Sequence, residues 1–221
     1  MNIKIGYLYY DLMNLYGEIG NIKALTYHLN EQGIKTEIKY LSLEDKINVK
    51  DLDLIYIGSG TEDNRKLVFD NLKKYKKDIE KAIEDNKFFL VTGNATTLFS
   101  KNYLDIFDFD VEESPRIVKE VITKFQYTNK DIYGLYNYSD DVNYNGINNL
   151  FKDDGISYKN FYATYLIGPL LVRNPEFTKY FVKELIKSKD KKFKFKKFNT
   201  YIDEKAYDEY ITFKKNKKTI K

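Results

Sequence analysis

Two hydroxyl side chains stand where apolar, strand-like stretches end: Ser59 in IYIGSGTED and Thr92 in LVTGNATTL. A hydroxyl at such a place attacks an amide carbonyl only if a neighbouring base takes its proton. Asp11, Glu62 and Asp63 lie near the ends of the same strand-like stretches, where ligands of α/β proteins gather, and they read equally as solvated or helix-capping acids. The chain has no cysteine, which excludes thiolate nucleophiles, thiolate metal sites and disulfides. Its one histidine, His28, sits in a helical pattern far from these segments and is expected to be a surface or hydrogen-bonded ring. No metal site and no cofactor are expected.

The elements that must position these residues follow from periodicity. Ile3, Ile5, Tyr7 and Tyr9 alternate as a strand ending near Asp11, and NLYGEIGN turns into a helix carrying Ile22, Leu25 and Leu29 on one face, stopped at Gly33. Thr36 to Leu43 is β-like, and LIYIGSG is an apolar strand with a glycine loop. Val68, Leu72, Tyr75, Ile79 and Ala82 recur at spacings of four and three, which predicts one long amphipathic helix over 63–86. FFLVTG follows as a buried parallel strand. The order βαββαβ predicts an α/β chain with a three-layer, mainly parallel sheet.

Residues 108–160 predict short antiparallel strands at a sheet edge, and RNPEFTKYFVKELIK predicts a helix with Asn174 as cap, Pro175 at its first position and Phe177, Phe181 and Leu185 on one face. One domain over 1–221 is expected, with a basic extension over about 188–221. From Lys187 onward 13 lysines face five acids, a surplus of eight positive charges, against a net of +4 for the whole chain. KSKDKKFKFKKF predicts a strand with Phe193, Phe195 and Phe198 buried on one face; its alternative is a single-strand nucleic-acid surface. No apolar run spans 18 residues, so no membrane insertion is expected and the chain reads as cytoplasmic.

Four stretches, DLMNLYGEIGNIKAL, IYIGSGTEDNRK, LVTGNATTL and GISYKNFYATYLIGPLLVRNPEFT, resemble in order the class I glutamine amidotransferases of the cobyric acid synthase type. Within that family the chain is most similar to the glutaminase subunits of lipid II isoglutaminyl synthases, which work beside a Mur-ligase-like, ATP-dependent synthetase. The resemblance implies the flavodoxin-like fold of the family and, at the end of FFLVT, the elbow on which the family mounts a catalytic cysteine. One alignment puts Thr92 at the cysteine position and another puts Gly93 there. The family's histidine position, in a pattern resembling TYLHGP, is Ile167, which takes no proton. Gly58, Ser59 and Gly60 resemble the family's oxyanion loop. Any loop closing a central strand also needs glycine for its turn. Asn94, Ala95, Thr96 and Thr97 are the pocket-lining candidates, and the Tyr-Gln pair that holds glutamine in the family is replaced among them.

The expectation is therefore a degenerate amidotransferase-like chain, a pseudoenzyme kept as a binding or regulatory subunit of a Mur-ligase-like amidating complex in peptidoglycan synthesis, or self-associating. The alternatives are an enzyme using Thr92 or Ser59 on an amide, and a nucleic-acid-binding protein using the basic tail.

Overall fold

The computed structural model describes residues 1–219. Its main sheet has six strands: β1 (Asn2–Leu8), β2 (Lys35–Leu41), β3 (Leu54–Ile57), β4 (Phe88–Thr92), β7 (Ile156–Tyr158) and β8 (Phe161–Thr164). Their spatial order is β2-β1-β3-β4-β8-β7, and only β7 runs antiparallel to its neighbour. Side-chain alternation divides two apolar layers. Ile5, Tyr7, Tyr56 and Leu90 face one layer, and Leu8, Ile55, Ile57, Phe89 and Val91 face the other.

The first layer is closed by α1 (Ile19–Glu31), by the single turn α4 (Leu170–Arg173) and by α5 (Pro175–Lys189), through Ile22, Leu25, Phe177, Phe181 and Leu185. The second is closed by α2 (Glu62–Leu72) and α3 (Lys76–Glu84). The single helix expected over 63–86 is thus two, separated by a 3₁₀ turn at Lys73–Tyr75. The periodicity nevertheless holds, because Val68, Leu72, Ile79 and Ala82 all enter the same core.

Residues 108–160 depart further from expectation. β5 (Asp110–Lys124) and β6 (Asp131–Asn143) form one long antiparallel hairpin, a sheet of its own rather than short strands on the main sheet's edge. A register shift between Glu113 and Ile117, around Pro115, breaks the ladder where proline lacks its N–H. The hairpin is tied to the TYLIGP segment by a pair of backbone hydrogen bonds between Leu135 and Ile167, at 3.3 and 3.0 Å.

Asn174 does not cap α5 with its side chain. Its amide group instead spans to the hairpin, accepting from the Tyr133 N–H at 2.9 Å and donating to the carbonyls of Tyr133 and Leu170. Residues 191–200 are not a strand either. Phe193, Phe195 and Phe198 do pack on the first layer, as the alternation requires. The backbone beside them, however, bonds the side chain of Gln32: the Lys196 N–H donates to Oε1 at 2.8 Å and its carbonyl accepts from Nε2. The final helix α6 (Tyr201–Thr219) then lies on the hairpin, with Tyr210 stacked on Tyr133 at 4.1 Å and Lys214 and Lys215 paired with Glu120 and Asp131. Two lysines of the basic tail thus face acids of the same chain. No helix among the described residues is long and apolar enough to cross a membrane.

Candidate functional site

The end of β4 is a sharp elbow. Thr92 closes the strand in extended geometry, and Gly93, at φ +64°, opens a 3₁₀ helix over Gly93–Phe99. A positive φ in a tight turn is glycine's region, and here the absence of a side chain is used as well. A Cβ on Gly93 would collide with the Ser59 side chain and lie 2.9 Å from Ile167 Cγ2. Gly93, Ser59 and Ile167 therefore meet at one point, and all three are buried.

The glycine loop serves packing and internal hydrogen bonding. A Cβ on Gly58 would come within 2.5 Å of the Met13 carbonyl and 2.9 Å of Glu18, and one on Gly60 within 2.8 Å of the Leu12 carbonyl. The turn before α1 thus lies directly on the loop. The Gly60 N–H donates to Asn94 Oδ1 at 3.1 Å, and Asn94 Nδ2 returns a bond to the Gly60 carbonyl at 2.8 Å. Ser59 Oγ also donates to Asn94 Oδ1, at 3.2 Å. Asn94 is thus a plug made of the chain's own side chain.

The remaining pocket candidates are buried and engaged within the fold. Ala95 enters the second core layer. Thr96 donates to the Thr164 carbonyl, and Thr97 donates to the Asn94 carbonyl while accepting from Arg65 at 3.0 Å. Arg65 also holds Asp140 of the hairpin at 2.7 Å, both side chains buried. Arg65 of α2 thus joins β6, through the ion pair, to the elbow helix, through Thr97.

Thr92 points the other way, into the first layer. Its hydroxyl donates to Glu18 Oε2 at 2.7 Å and lies 3.1 Å from the Tyr56 hydroxyl. Glu18 is fully buried and receives hydrogen bonds from Tyr56, Thr92 and Asn21, whose own carbonyl oxygen accepts from the Leu171 N–H in α4. Burial pushes the Glu18 carboxyl up to about 7, against the lowering by hydrogen bonds from Tyr56, Thr92 and Asn21. Its second oxygen, Oε1, has no hydrogen-bond partner. Glu18 is the acid that reaches Thr92. Asp11 instead accepts from Ser42, Glu62 accepts from Ser139 and Arg116, and Asp63 lies exposed in the first turn of α2.

Sequence reasoning missed Glu18 although it lies inside NLYGEIGN, between Gly17 and Ile19, because nothing local marks the acid as buried while Asn14 to Gly17 before it are exposed. It also misjudged His28, which is 5% exposed and carries a buried Nδ1 without a partner. Among the described residues no group of three acidic or histidine side chains could hold a metal ion.

No protein-family model matches the chain. Two curated relatives are subunits GatD of a glutamine-hydrolysing lipid II isoglutaminyl synthase. The one from Staphylococcus aureus is 28% identical over 201 residues, 81% of this chain and 82% of that protein. The one from Streptococcus pneumoniae is 25% identical over 212 residues, 85% of this chain and 82% of that protein. Three solved structures share the fold at low identity. They are a glutamine amidotransferase of Thermotoga maritima (11% identity, 85% of this chain and 86% of that one, TM-score 0.53), PurLQS of the same organism (15%, 85% and 97%, 0.51), and the glutaminase domain of Trypanosoma brucei CTPS with bound acivicin (10%, 86% and 94%, 0.52). Relatives in sequence and neighbours in fold agree: this chain is similar to the GatD subunits and has the three-layer α/β fold of the glutamine amidotransferases, and it contains no cysteine.

Proposed function

We propose that the chain is a non-catalytic subunit of a lipid II-amidating complex, bound to a Mur-ligase-like, ATP-dependent synthetase that takes its nitrogen from free ammonia or another amine. The observation that carries this reading is Gly93. On this account it occupies the nucleophile position, and the space a cysteine side chain would need is filled by Ser59 and Ile167. Ile167 stands where a base would have to receive a proton, and the Gly60 amide is already bonded to Asn94. On this account nucleophile and base are replaced and the loop amide is engaged within the chain, while the shell around them persists. Such a shell keeps its value as a binding surface without the reaction.

Reconstitution tests the reading. The synthetase encoded in the same cells is expected to co-purify with this chain and to amidate lipid II from ammonium chloride with the chain present, but not from glutamine. Glutamine-dependent amidation by the pair would overturn it.

One observation favours a second reading, an enzyme with Thr92 as nucleophile and Glu18 as base: the two lie 2.7 Å apart and the carboxyl is pushed up to about 7. Burial opposes it, since both side chains are 0% exposed and no substrate reaches them without opening the core. Ammonia release from an amide, abolished by Thr92→Val, would be its signature.

A further inference from the structure

β2 is the outer strand of the main sheet and pairs only with β1, in continuous register from Asn2 with Lys35 to Leu8 with Leu41. The bonds at its two ends show which residues face that partner. The Lys35 N–H donates to the Met1 carbonyl at 3.2 Å, and the Leu41 carbonyl accepts from the Tyr9 N–H. Backbone groups alternate in direction along a strand, so Lys35, Glu37, Lys39 and Leu41 bond towards β1. The N–H and C=O groups of Thr36, Ile38 and Tyr40 therefore point away from the sheet, and none of them meets a hydrogen-bond partner among the described residues. Folds blunt such an edge with proline, a bulge or a very short strand. This one has seven residues, no proline and no bulge. Lys35, Glu37 and Lys39 share one face of it and form no ion pair among the described residues.

Antiparallel pairing with a second copy of the same strand, centred on Ile38, satisfies backbone and charge together. It sets Ile38 opposite Ile38 and Thr36 opposite Tyr40, each a pair that exchanges two backbone hydrogen bonds, so every outward group finds a partner. Between those pairs Glu37 of each copy falls opposite Lys39 of the other, at the positions where facing side chains come closest. Sliding the strands by two residues either way sets Glu37 against Glu37 or Lys39 against Lys39, and sliding by one turns the bonding groups away from each other. Charge and backbone direction thus select the same register. Tyr40 and Tyr10, 48% and 39% exposed, stand edge to face at 5.3 Å beside the strand and add apolar surface to the contact. We propose that two copies of this chain associate through β2 in that register, joining two six-stranded sheets into one across a two-fold axis at Ile38. The inference stands on β2 alone and is tested without a synthetase, so the fate of the proposed partnership does not decide it.

Sedimentation of the full-length chain should show monomer passing to dimer between about 1 and 100 μM. A monomer throughout that range overturns the proposal. Glu37→Lys and Lys39→Glu are surface changes that each place like charges opposite one another, and each alone should raise the dissociation constant about tenfold or more. Mixed in equal amounts, the two variants should form a heterodimer, because every facing pair then joins opposite charges. Hydrogen exchange reads the register independently. The amides of Thr36, Ile38 and Tyr40 should gain protection as the protein concentration rises, while those of Glu37 and Lys39, already bonded to β1, should change less. A dimer that ignores both charge reversals, that is not recovered on mixing the variants, or that leaves the three outward amides unprotected uses another surface, and any of these results overturns the proposal.

Discussion

Gly93 and Thr92 are neighbours in the chain, yet the two sides of β4 they serve have had opposite fates. On Gly93's side the contacts are packing and one amide bond: Gly93 has no side chain and lies against Ser59 and Ile167, and Asn94 accepts from the Gly60 N–H. On Thr92's side, four polar side chains, Glu18, Tyr56, Asn21 and Thr92, form a closed buried network. A reacting group is useful only to a substrate, so it can be lost without harm to the fold. A buried hydrogen-bonded group is tied to its partners, because removing one leaves the others unsatisfied in the interior. On the proposed reading, the difference explains how a chain keeps an amidotransferase-like fold without the reaction.

The largest effect that would break this contrast is expected from Glu18→Ala. It strands the donors of Tyr56, Thr92 and Asn21 and leaves a void, for a loss of about 3–5 kcal/mol in chemical unfolding. A loss below about 1 kcal/mol would show that the network is not what holds the turn before α1.

Gly93→Cys puts a side chain at positive φ against Ser59 and Ile167 and should cost about 2–3 kcal/mol. Trimming the neighbour in Gly93→Cys/Ile167→Ala should return part of that cost. Equal stability of Gly93→Cys and the wild type would mean the elbow still has room for a nucleophile.

The pH dependence of stability comes next. The Glu18 carboxyl is raised from 4.5 to about 7, so the folded state holds its proton more tightly than the unfolded chain does. Its stabilisation is full below about 4.5 and is lost as pH rises through 7; Asp154, raised from 3.8 to about 6 by burial, acts in the same direction at lower pH. Urea midpoints should therefore fall between pH 5 and 8, by the equivalent of roughly 2–3 kcal/mol for Glu18. Glu18→Gln should flatten the upper part of that slope, and an unchanged slope would place the carboxyl's titration elsewhere. The smallest effect is that of Thr92→Val, which removes one donor to Glu18 and should cost about 1 kcal/mol.

The mainly parallel sheet was legible because it rests on local signals, alternation in β1 and short apolar runs in β3 and β4, whereas the elbow and the approach of Ile167 to Gly93 were expected only from the resemblance of LVTGNATTL and TYLIGP to the family's segments. The hairpin was less legible. β5 and β6 carry a mixed pattern, since one face meets the core only in part and α6 covers some of the rest. Residues 191–200 show why periodicity alone misleads: the phenylalanines are half-buried against the first layer, but a strand also needs a backbone partner, and here that partner is the Gln32 side chain. Glu18 and His28 escaped for a related reason. Their environments depend on distant residues, Tyr56 and Thr92 for Glu18, and for His28 the charge of Asp203 in the first turn of α6.

The most direct test of the central claim is glutamine hydrolysis by the purified chain, alone and with its co-purifying synthetase, read as ammonia release between pH 6 and 9. The account predicts release no greater than in a sample without protein, unchanged in Thr92→Val and Ser59→Ala. Saturable turnover of glutamine that disappears in either variant would contradict it.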